Sequence, residues 1–327
     1  MWYGIGTTLI RQIPLAEIII IPAPSAFSLA CARLGWAMTE VETLSLCGRD
    51  PTLLNTVLYP GARVLVLSAD RQTPGIVAKL LTQQGFGDSQ IAVLERLGGP
   101  HERRVEGIAA DWANPHFTQP NLADLNTIAL TCLPSSPISH PSFTRFPGLP
   151  DAAYQHDGQL TKREVRAITL SALAPTPGQL LWDVGAGCGS IGIEWMRSHP
   201  RCRAIAIEKT RTPYIADNAI ALGVPNLQII EGMAPFALTD LPAPDAIFVG
   251  GGVTAAGLLE ACWTSLKPGG RLVANVVTLE GERTLLGWHE RVGGEFTRIA
   301  VQRAEPIGKF LGWKAMAPVT QWTVVKS

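Results

Sequence analysis

The sequence lacks an excess of charge of either sign. Its 27 Lys and Arg residues balance 27 Asp and Glu residues, which leaves no formal net charge over 327 residues. Proteins dedicated to nucleic-acid binding usually carry a basic excess, because their cations replace the counterions of the phosphate backbone. The balance therefore predicts that nucleic acid is not a partner.

Cysteine pairs and long apolar runs are also missing. The six cysteines include no C-x-x-C pair, and their spacing suits neither a zinc site nor a disulfide framework. The apolar run Ile18–Ile21 ends at Pro22, well short of the ~20 residues that cross a bilayer, and no secretory signal precedes it. These absences predict buried, reduced thiols, no bound metal, no membrane association and a cytoplasmic protein.

Constellations for acid–base or nucleophilic catalysis are absent as well. The six histidines are scattered, and no Ser-His-Asp set or pair of catalytic carboxylates emerges from the residue pattern. The sequence therefore identifies no catalytic side chain, and the function has to be sought in binding motifs.

A proline-rich stretch divides the chain. Residues 133–150 contain five prolines and little hydrophobic periodicity, as expected of a linker rather than of a folded core. The length agrees, because 327 residues correspond to about two domains of ordinary size. We predict an upstream domain over residues 1–133, a proline-rich linker over 134–150 and a downstream domain over 151–327.

The upstream part alternates strand-like and helical segments. We predict strands at Glu17–Ile21, Arg63–Ser68, Gln90–Glu95 and Thr127–Thr131, and helices at Ala26–Leu34 and Thr73–Gln84. This alternation predicts an α/β domain.

The downstream part alternates more regularly. A first helix is predicted over Lys162–Leu173, with Thr161 as its N-cap and Glu164 at the capping-box position. Apolar strands are predicted at Leu180–Val184, Arg203–Glu208, Leu227–Glu231, Ala246–Gly250 and Arg271–Val277, with helices near Ile191–Ser198, Pro213–Leu222 and Thr254–Leu266. This pattern predicts a doubly wound parallel sheet covered on both faces. The later segments Thr297–Arg303 and Gln321–Val325 would add an antiparallel edge.

A glycine-rich turn links the first downstream strand to the next helix. It reads DVGAGCGS from Asp183 and contains Gly185, Ala186, Gly187, Cys188 and Gly189. Glycines let a backbone approach a ligand closely at the carboxyl edge of such a sheet. The G-x-G-x-G spacing differs from the dinucleotide pattern G-x-G-x-x-G. With its preceding acid it is typical of S-adenosylmethionine sites, where Asp183 would favour the ligand's ammonium directly or through water.

Two further strand ends carry candidate cofactor contacts. Glu208 ends the second downstream strand and can accept hydrogen bonds from ribose hydroxyls. After the third strand, Gly232 precedes Met233 and Ala234, which leave a slot for an adenine ring. With the glycine-rich turn and Thr161, these residues form the predicted S-adenosylmethionine site.

These segments resemble a known family. The stretches TKREVR from Thr161, WDVGAGCGSIGIE from Trp182, EGMAPFAL from Glu231, FVGGG from Phe248 and LKPGGRLVANVVTLE from Leu266 closely resemble the decarboxylating precorrin methyltransferase domain of cobalamin biosynthesis. Upstream, WYGIG from Trp2, PAPSAFSLACARLGW from Pro22 and SLCGR from Ser45 resemble the tetrapyrrole methylase domain fused to it in the precorrin-6Y C(5,15)-methyltransferases.

The resemblance implies a transferase that carries methyl groups from S-adenosylmethionine to carbons 5 and 15 of precorrin-6Y and decarboxylates the acetate on carbon 12. It assigns carbon 15 and the decarboxylation to a downstream Rossmann-like class I methyltransferase sheet. Carbon 5 falls to the upstream α/β lobe. The family places another glycine-rich lobe before WYGIG, so we expect the upstream part not to methylate carbon 5 unaided. We also expect a homo-oligomer.

A tetrapyrrole with many carboxylates calls for cations at its site. Lys162, Arg163 and Arg166 near the first downstream helix are candidates, and a solvated helix face is the alternative interpretation. Gly251, within the glycine triplet after the fourth strand, would let a flat macrocycle approach the backbone; a plain flexible turn is the alternative.

Three other functions stay open at this point. A methyltransferase for RNA bases would carry an N/D-P-P-aromatic tetrad after strand four, where this sequence has FVGGG; another small molecule is a related alternative. A nicotinamide dehydrogenase is disfavoured by the glycine spacing. The upstream part alone would instead serve as a docking or oligomerisation module.

Overall fold

A computed structural model describes residues 5–116, 121–136 and 144–327. The chain divides into two compact units, Met1–Ile138 and Ser139–Ser327. The division lies within the expected linker, residues 134–150, of which 137–143 lie outside the described residues. Ser135 N donates to the Gly85 carbonyl of the first unit, whereas Gly148 N donates to Glu194 of the second. Each end of the linker is therefore tied to the unit next to it.

The upstream unit is built on a five-stranded mixed sheet. In chain order its elements are α1 (Ile5–Leu9), α2 (Ala26–Leu34), β1 (Glu42–Ser45), β2 (Arg63–Leu67), α3 (Thr73–Gln83), β3 (Gln90–Glu95), β4 (Arg103–Ile108), α4 (Ala109–Ala113) and β5 (Asn126–Thr131). The strand order is β1-β2-β5-β3-β4, with β1 and β2 parallel and the other pairs antiparallel. The predicted α/β architecture is confirmed, and α2 and β3 have the predicted bounds.

One upstream prediction is wrong. Glu17–Ile21 does not form a strand: Leu15–Glu17 is a short 3-10 turn, and residues 18–21 are irregular. Ile19 and Ile21 are 92% and 85% exposed. β-branched residues favour strands when they pack against neighbouring strands, and no strand among the described residues pairs with this segment.

The downstream unit contains a seven-stranded sheet. Its elements are α5 (Arg163–Leu173), β6 (Leu180–Val184), α6 (Ser190–Ser198), β7 (Arg203–Glu208), α7 (Thr212–Ala221), β8 (Gln228–Glu231), β9 (Ala246–Val249), α8 (Leu258–Ser265), β10 (Arg271–Val276), α9 (Leu279–Val292), β11 (Glu295–Ile299), β12 (Gln302–Ile307), β13 (Phe310–Ala315) and β14 (Val319–Val325). The strand order is β11-β14-β10-β9-β6-β7-β8. The five strands from β8 to β10 are parallel, and β14 runs antiparallel to both β10 and β11.

Two layers of apolar side chains cover this sheet. Along β6, Leu181 packs into the layer beneath α5, α6 and α7, whereas Trp182 packs into the layer beneath α8 and α9. Because both faces are buried, the strands are apolar at nearly every position, which explains the continuous apolar runs in the sequence. The predicted doubly wound sheet with an antiparallel edge is confirmed. Chain order reverses between β6 and β9, where such sheets bind ligands at their carboxyl ends.

Two downstream details differ from the predictions. Helix α5 begins at Arg163 with Lys162 as its N-cap and no side-chain cap, so Thr161 is not the N-cap. The predicted capping box is absent because Glu164 accepts instead from Arg303, at 2.6 Å.

The predicted strand Thr297–Arg303 is broken. Its first part belongs to β11, and its last residues belong to β12, which forms a separate hairpin with β13. The break falls at Ala300–Val301, which lie outside both strands. Neither the hairpin nor helix α9 was predicted from the sequence. Within the described residues, no helix combines the length and hydropathy that crossing a bilayer requires.

Candidate active site

A cavity of about 690 Å³ opens at the carboxyl edge of the downstream sheet. Its volume lies in the range of ~300–1,000 Å³ usual for small-molecule sites. One wall is the segment 159–162 before α5, and another is the glycine-rich turn. The third wall combines Gly250, Asn275 and Val277 with residues 303, 305 and 314–317 of the hairpin region.

The neighbouring strands hold the glycine-rich turn in place. Gly185 N and Ala186 N donate to the Ile207 carbonyl of β7, at 2.9 and 3.1 Å. Gly185 has a φ of +70°, and a Cβ there would lie 2.8 Å from the backbone nitrogen of Gly251. Only glycine fits this conformation and this close approach of two backbones, so this residue determines the path of the turn.

Asp183 is the buried acid that precedes the turn. Its Oδ2 accepts from Gly192 N of α6 at 2.8 Å, and its buried Oδ1 has no hydrogen-bond partner among the described residues. Burial raises the pKa of this carboxyl group to about 7. A buried acceptor without a partner destabilises the folded chain. It fits a ligand that brings a positive charge or a proton donor, as the predicted cofactor would.

Glu208 ties the turn to the adjacent strand end. The residue is 7% exposed. Its Oε2 accepts from Gly187 N at 2.9 Å, and its Oε1 accepts from Thr210 N at 3.1 Å. Each carboxylate oxygen keeps one further acceptor position, so the expected contact with ribose hydroxyls stays a prediction. No motif indicated the second role of Glu208, which is the support of Gly187.

The predicted cofactor residues fall into three groups. Those that line the cavity are Thr161, Gly185, Ala186, Gly187 and Cys188. Those outside its lining but within the turn or next to it are Asp183, Gly189 and Glu208. Those that follow β8, also outside the lining, are Gly232, Met233 and Ala234. Gly232 N donates to the Glu208 carbonyl at 3.0 Å, and the Met233 side chain is 55% exposed. The part of the predicted site for the adenine therefore lies beside the cavity rather than in it.

Cys188 is the thiol of the glycine-rich turn. It is 1% exposed, and burial raises its pKa to about 11. The thiol therefore stays protonated at neutral pH and is no nucleophile. In the described ranges, no three His, Cys, Asp or Glu side chains are grouped to hold a metal ion.

The three predicted substrate cations lie in different environments. Lys162 lines the cavity, and its ammonium forms no ion pair with any described residue. Arg163 is exposed and lies outside the lining. The prediction for Arg166 is wrong: its side chain is fully buried, and its Nε donates to Glu194 at 2.6 Å. The buried Glu194 carboxylate requires this cationic partner. Because Arg166 is buried and engaged by Glu194, it cannot bind a substrate.

Arg166 nevertheless shapes the cavity. Its guanidinium donates to the Thr161 carbonyl at 2.5 Å, and Thr161 is part of the lining. Its partner Glu194 also accepts from Gly148 N at 2.6 Å, Leu149 N at 3.1 Å and the Tyr154 hydroxyl at 2.8 Å. This buried network holds the segment that precedes α5 against α6.

The glycine triplet after β9 is arranged differently from the prediction. Gly250 lines the cavity, whereas Gly251 does not. Gly251 instead lies behind the first glycine of the turn, because its backbone packs against Gly185. The predicted approach of a macrocycle to this backbone therefore falls to Gly250.

Apart from the glycine triplet, the third wall of the cavity was not predicted from the sequence. Arg303 donates to Asp151 at 2.9 Å and to Glu164, while Lys314 donates to Glu305 at 2.8 Å. No sequence signal marks these residues, because they come from a hairpin without a motif. Asn275 was detectable: it is a polar residue near the carboxyl end of a strand that is otherwise apolar after its first residue, Arg271.

Two family models match the chain. Residues 152–326 match a precorrin methyltransferase domain, and residues 1–112 match the tetrapyrrole (corrin/porphyrin) methylases.

Curated relatives and a solved structure agree with these matches. A precorrin-6Y C(5,15)-methyltransferase [decarboxylating] of Sinorhizobium sp is 48% identical and matches 99% of this chain and 78% of its own length. The Mycobacterium tuberculosis protein of the same name is 47% identical, over 99% of this chain and 80% of its own. The crystal structure of the C-terminal domain of precorrin-6Y C5,15-methyltransferase from Rhodobacter capsulatus is 45% identical, with a TM-score of 0.53 over 56% of this chain and 100% of that one.

These matches confirm both fold predictions, the Rossmann-like methyltransferase sheet downstream and the tetrapyrrole methylase domain upstream. The chain belongs to the family of decarboxylating precorrin-6Y C(5,15)-methyltransferases.

Proposed function

We propose that this chain uses S-adenosylmethionine to methylate precorrin-6Y at carbon 15 and decarboxylates the acetate on carbon 12, and that its upstream unit takes part in the methylation of carbon 5 without performing it unaided. The observation that carries the proposal is the downstream cavity, one wall of which is a glycine-rich turn with a buried, unpartnered carboxylate oxygen beside it. The family and the names of its members indicate the substrate.

The residues around the turn suit a sulfonium methyl donor. Asp183 would face the ammonium group of the cofactor directly or through water, since its Oδ1 lacks a partner among the described residues. Glu208 would accept hydrogen bonds from the ribose, and Met233 and Ala234 would pack against the adenine. When bound, S-adenosylmethionine supplies an electrophilic methyl group.

The protein has little acid–base chemistry to perform in this reaction. Methyl transfer requires the nucleophilic carbon to lie in line with the bond that breaks, and such positioning contributes about 7–11 kcal/mol. When the acetate loses carbon dioxide, the bonding electron pair passes into the conjugated macrocycle. Lys162 lines the cavity, forms no ion pair with any described residue and would bind one of the substrate's remaining carboxylates. Arg303 and Lys314 also line the cavity but are already paired with Asp151, Glu164 and Glu305.

We assign the methylation of carbon 15 and the decarboxylation to the downstream unit, because the cavity lies within it. Methylation of carbon 5 is assigned to the upstream unit on its match to the tetrapyrrole methylases. The two assignments are separable by experiment.

Incubation of the purified chain with precorrin-6Y and methyl-labelled S-adenosylmethionine tests the proposal. We expect mass spectrometry to show a labelled methyl group on carbon 15 and the release of one carbon dioxide per substrate. We expect no label on carbon 5, because the upstream unit is not expected to act unaided, and a second label there would overturn that expectation. Reactions that lack substrate, or that contain excess S-adenosylhomocysteine, are the controls.

Two results would overturn the proposal. One is an unmodified substrate after prolonged incubation with active-site concentrations of enzyme. The other is preferential binding of NAD over S-adenosylmethionine in equilibrium dialysis, which would favour a dehydrogenase.

A further inference from the structure

Three polar side chains form a cluster on one face of the downstream sheet. Thr169 comes from α5, Asn275 from β10 and Gln321 from β14. Asn275 and Gln321 are direct cross-strand partners in the antiparallel ladder. Thr169 is fully buried and Gln321 is 3% exposed, whereas Asn275 is half-buried and lines the cavity.

Four hydrogen bonds connect the cluster. The Thr169 hydroxyl donates to the Val165 carbonyl at 2.8 Å. Asn275 Nδ2 donates to Thr169 Oγ1 at 2.8 Å. Gln321 Nε2 donates to the same hydroxyl oxygen at 3.1 Å and to Asn275 Oδ1 at 3.0 Å.

The single hydroxyl proton fixes the orientation of both amides. Because the Thr169 proton goes to the Val165 carbonyl, Oγ1 can only accept from its other neighbours. If the Asn275 amide were rotated by 180°, its oxygen would face Oγ1 with no proton between them. A rotated Gln321 amide would create the same repulsion. The amide nitrogens must therefore point as described.

The unused hydrogen-bond donor of the cluster lies on Asn275. Thr169 Oγ1 uses its proton and both lone pairs, and Gln321 Nε2 uses both of its hydrogens. Asn275 keeps one N–H and one acceptor position on Oδ1. It is also the one member of the cluster that lines the cavity. The Asn275 amide is thus held in place by Thr169 and Gln321, and its remaining Nδ2–H is available to a ligand in the cavity.

The charge around the cavity indicates the ligand group. Lys162 contributes to the lining a cation that forms no ion pair with any described residue, whereas Arg303 and Lys314 are already paired with Asp151, Glu164 and Glu305. An anionic group is therefore favoured next to the free amide N–H. Lys162 has a long, flexible side chain, whereas the Asn275 amide is already oriented, so its hydrogen bond requires little further ordering.

We propose that Asn275 is a substrate-binding residue that donates its remaining Nδ2–H to a carboxylate oxygen of the tetrapyrrole. The inference rests on the proposed function and deepens it by naming one point of substrate recognition. Thr169 and Gln321 touch no ligand and act as positioning residues through Asn275.

The variant Asn275→Asp tests this role most directly. It keeps the size of the side chain but replaces the N–H donor with a second acceptor that repels a carboxylate. We expect the KM for precorrin-6Y to rise about 10- to 100-fold at saturating S-adenosylmethionine, as for the loss of a charge-assisted hydrogen bond. The dissociation constant of S-adenosylhomocysteine, measured by calorimetry, should change less than about twofold.

A pH profile separates this role from a structural one. Below its pKa the carboxyl group introduced by Asn275→Asp carries an O–H donor, so the KM of this variant should approach the wild-type value as the pH falls. A variant that was only less stable would show no such recovery. Gln321→Leu should raise KM more modestly, because the Asn275 amide loses an orienting partner but keeps its donor.

The matched control is Gln228→Glu. Gln228 is exposed at the start of β8, so this change adds the same charge away from the cavity and should leave KM unchanged. Thermal unfolding checks that each variant is folded. If Asn275→Asp does not fold, Asn275→Ala supplies the comparison of KM with cofactor affinity.

The outcomes distinguish this inference from the proposed function. A wild-type chain that does not modify precorrin-6Y overturns the proposed function. An active wild-type chain, with an unchanged KM in Asn275→Asp and Asn275→Ala, overturns only the role of Asn275. A parallel loss of S-adenosylhomocysteine affinity would also overturn it, because Asn275 would then act on the cofactor.

Discussion

Two buried carboxyl groups of the downstream unit have very different surroundings. Glu194 accepts from Arg166, two backbone N–H groups and the Tyr154 hydroxyl. Asp183 accepts from one backbone N–H and has no arginine or lysine partner in the described part of the chain. The first carboxylate is stabilised by the fold, whereas the second is left for a ligand to stabilise.

The raised pKa of Asp183 predicts a pH-dependent stability. An unfolded aspartate loses its proton near pH ~4, whereas the folded carboxyl group keeps it up to about pH 7. This group therefore stabilises the fold fully below pH ~4, and its contribution is lost as the pH rises from there through 7. Asp183→Asn removes the charge and keeps an acceptor for Gly192 N. At pH 8, we expect the free energy of unfolding of the variant to exceed that of the wild type by about 2–4 kcal/mol.

Urea unfolding at several pH values checks this expectation. The difference between Asp183→Asn and the wild type should shrink steadily from pH 8 to pH 5. A difference that does not depend on pH would show that Asp183 titrates normally. In calorimetry, the same variant should bind S-adenosylmethionine at least about tenfold more weakly at pH 8, because a neutral amide cannot favour the ammonium group.

Removal of Arg166 should destabilise the downstream unit strongly. Arg166→Met leaves Glu194 buried without its cation. We expect the free energy of unfolding, measured with urea, to fall by about 3–5 kcal/mol. The double variant Arg166→Met with Glu194→Gln should recover part of this loss, because a neutral amide needs no cation and its single oxygen can still accept from Leu149 N and the Tyr154 hydroxyl. The control Arg163→Met, at an exposed position of the same helix, should change stability by less than about 0.5 kcal/mol. Equal losses in the two single variants would contradict the buried ion pair.

At the scale of elements, regular alternation was sufficient to predict the downstream sheet. The bounds of β6 and β7 agree with the sequence because both strands are largely apolar and end at a turn or an acid. The start of α5 was misplaced, since the partner of Glu164 is Arg303, more than a hundred residues later in the chain. The cavity wall formed by β12 and β13 was not predictable either, because it depends on such long-range pairs and not on local periodicity.

Arg303 should hold the hairpin β12–β13 beside α5. Its guanidinium donates to Asp151 and Glu164 and joins the hairpin to the segment around the start of that helix. We expect Arg303→Met to speed amide hydrogen exchange in residues 302–315 several-fold. Unfolding stability should fall by less than about 1 kcal/mol, because the pair is partly exposed.

Arg291→Met is the matched control for this variant. Arg291 forms an exposed ion pair with Glu260 at 3.2 Å, which joins α9 to α8 and does not involve the hairpin. Its removal should leave exchange in residues 302–315 unchanged. If the two variants gave the same exchange pattern, the hairpin would not depend on Arg303.

At the scale of the molecule, the boundary between the two units has a measurable position. Leu149 is 1% exposed, and the backbone N–H groups of Gly148 and Leu149 both reach Glu194. A fragment over residues 144–327 keeps these contacts, whereas one over 151–327 lacks them. We expect the shorter fragment to be less stable by about 2–4 kcal/mol in urea unfolding, from lost apolar burial and unsatisfied Glu194. Equal stabilities would place the boundary at residue 151.

The placement of β14 affects how the nascent chain folds. This strand is translated after all the others described, yet it lies between β10 and β11. While residues 319–325 are still inside the ribosome, β10 has an open edge and β11 has no neighbour. Exposed strand edges attract other chains, so we expect ribosome-bound intermediates of this protein to need shielding until the seventh strand emerges. The amide pair of Asn275 and Gln321 would then form only after β14 has joined the sheet.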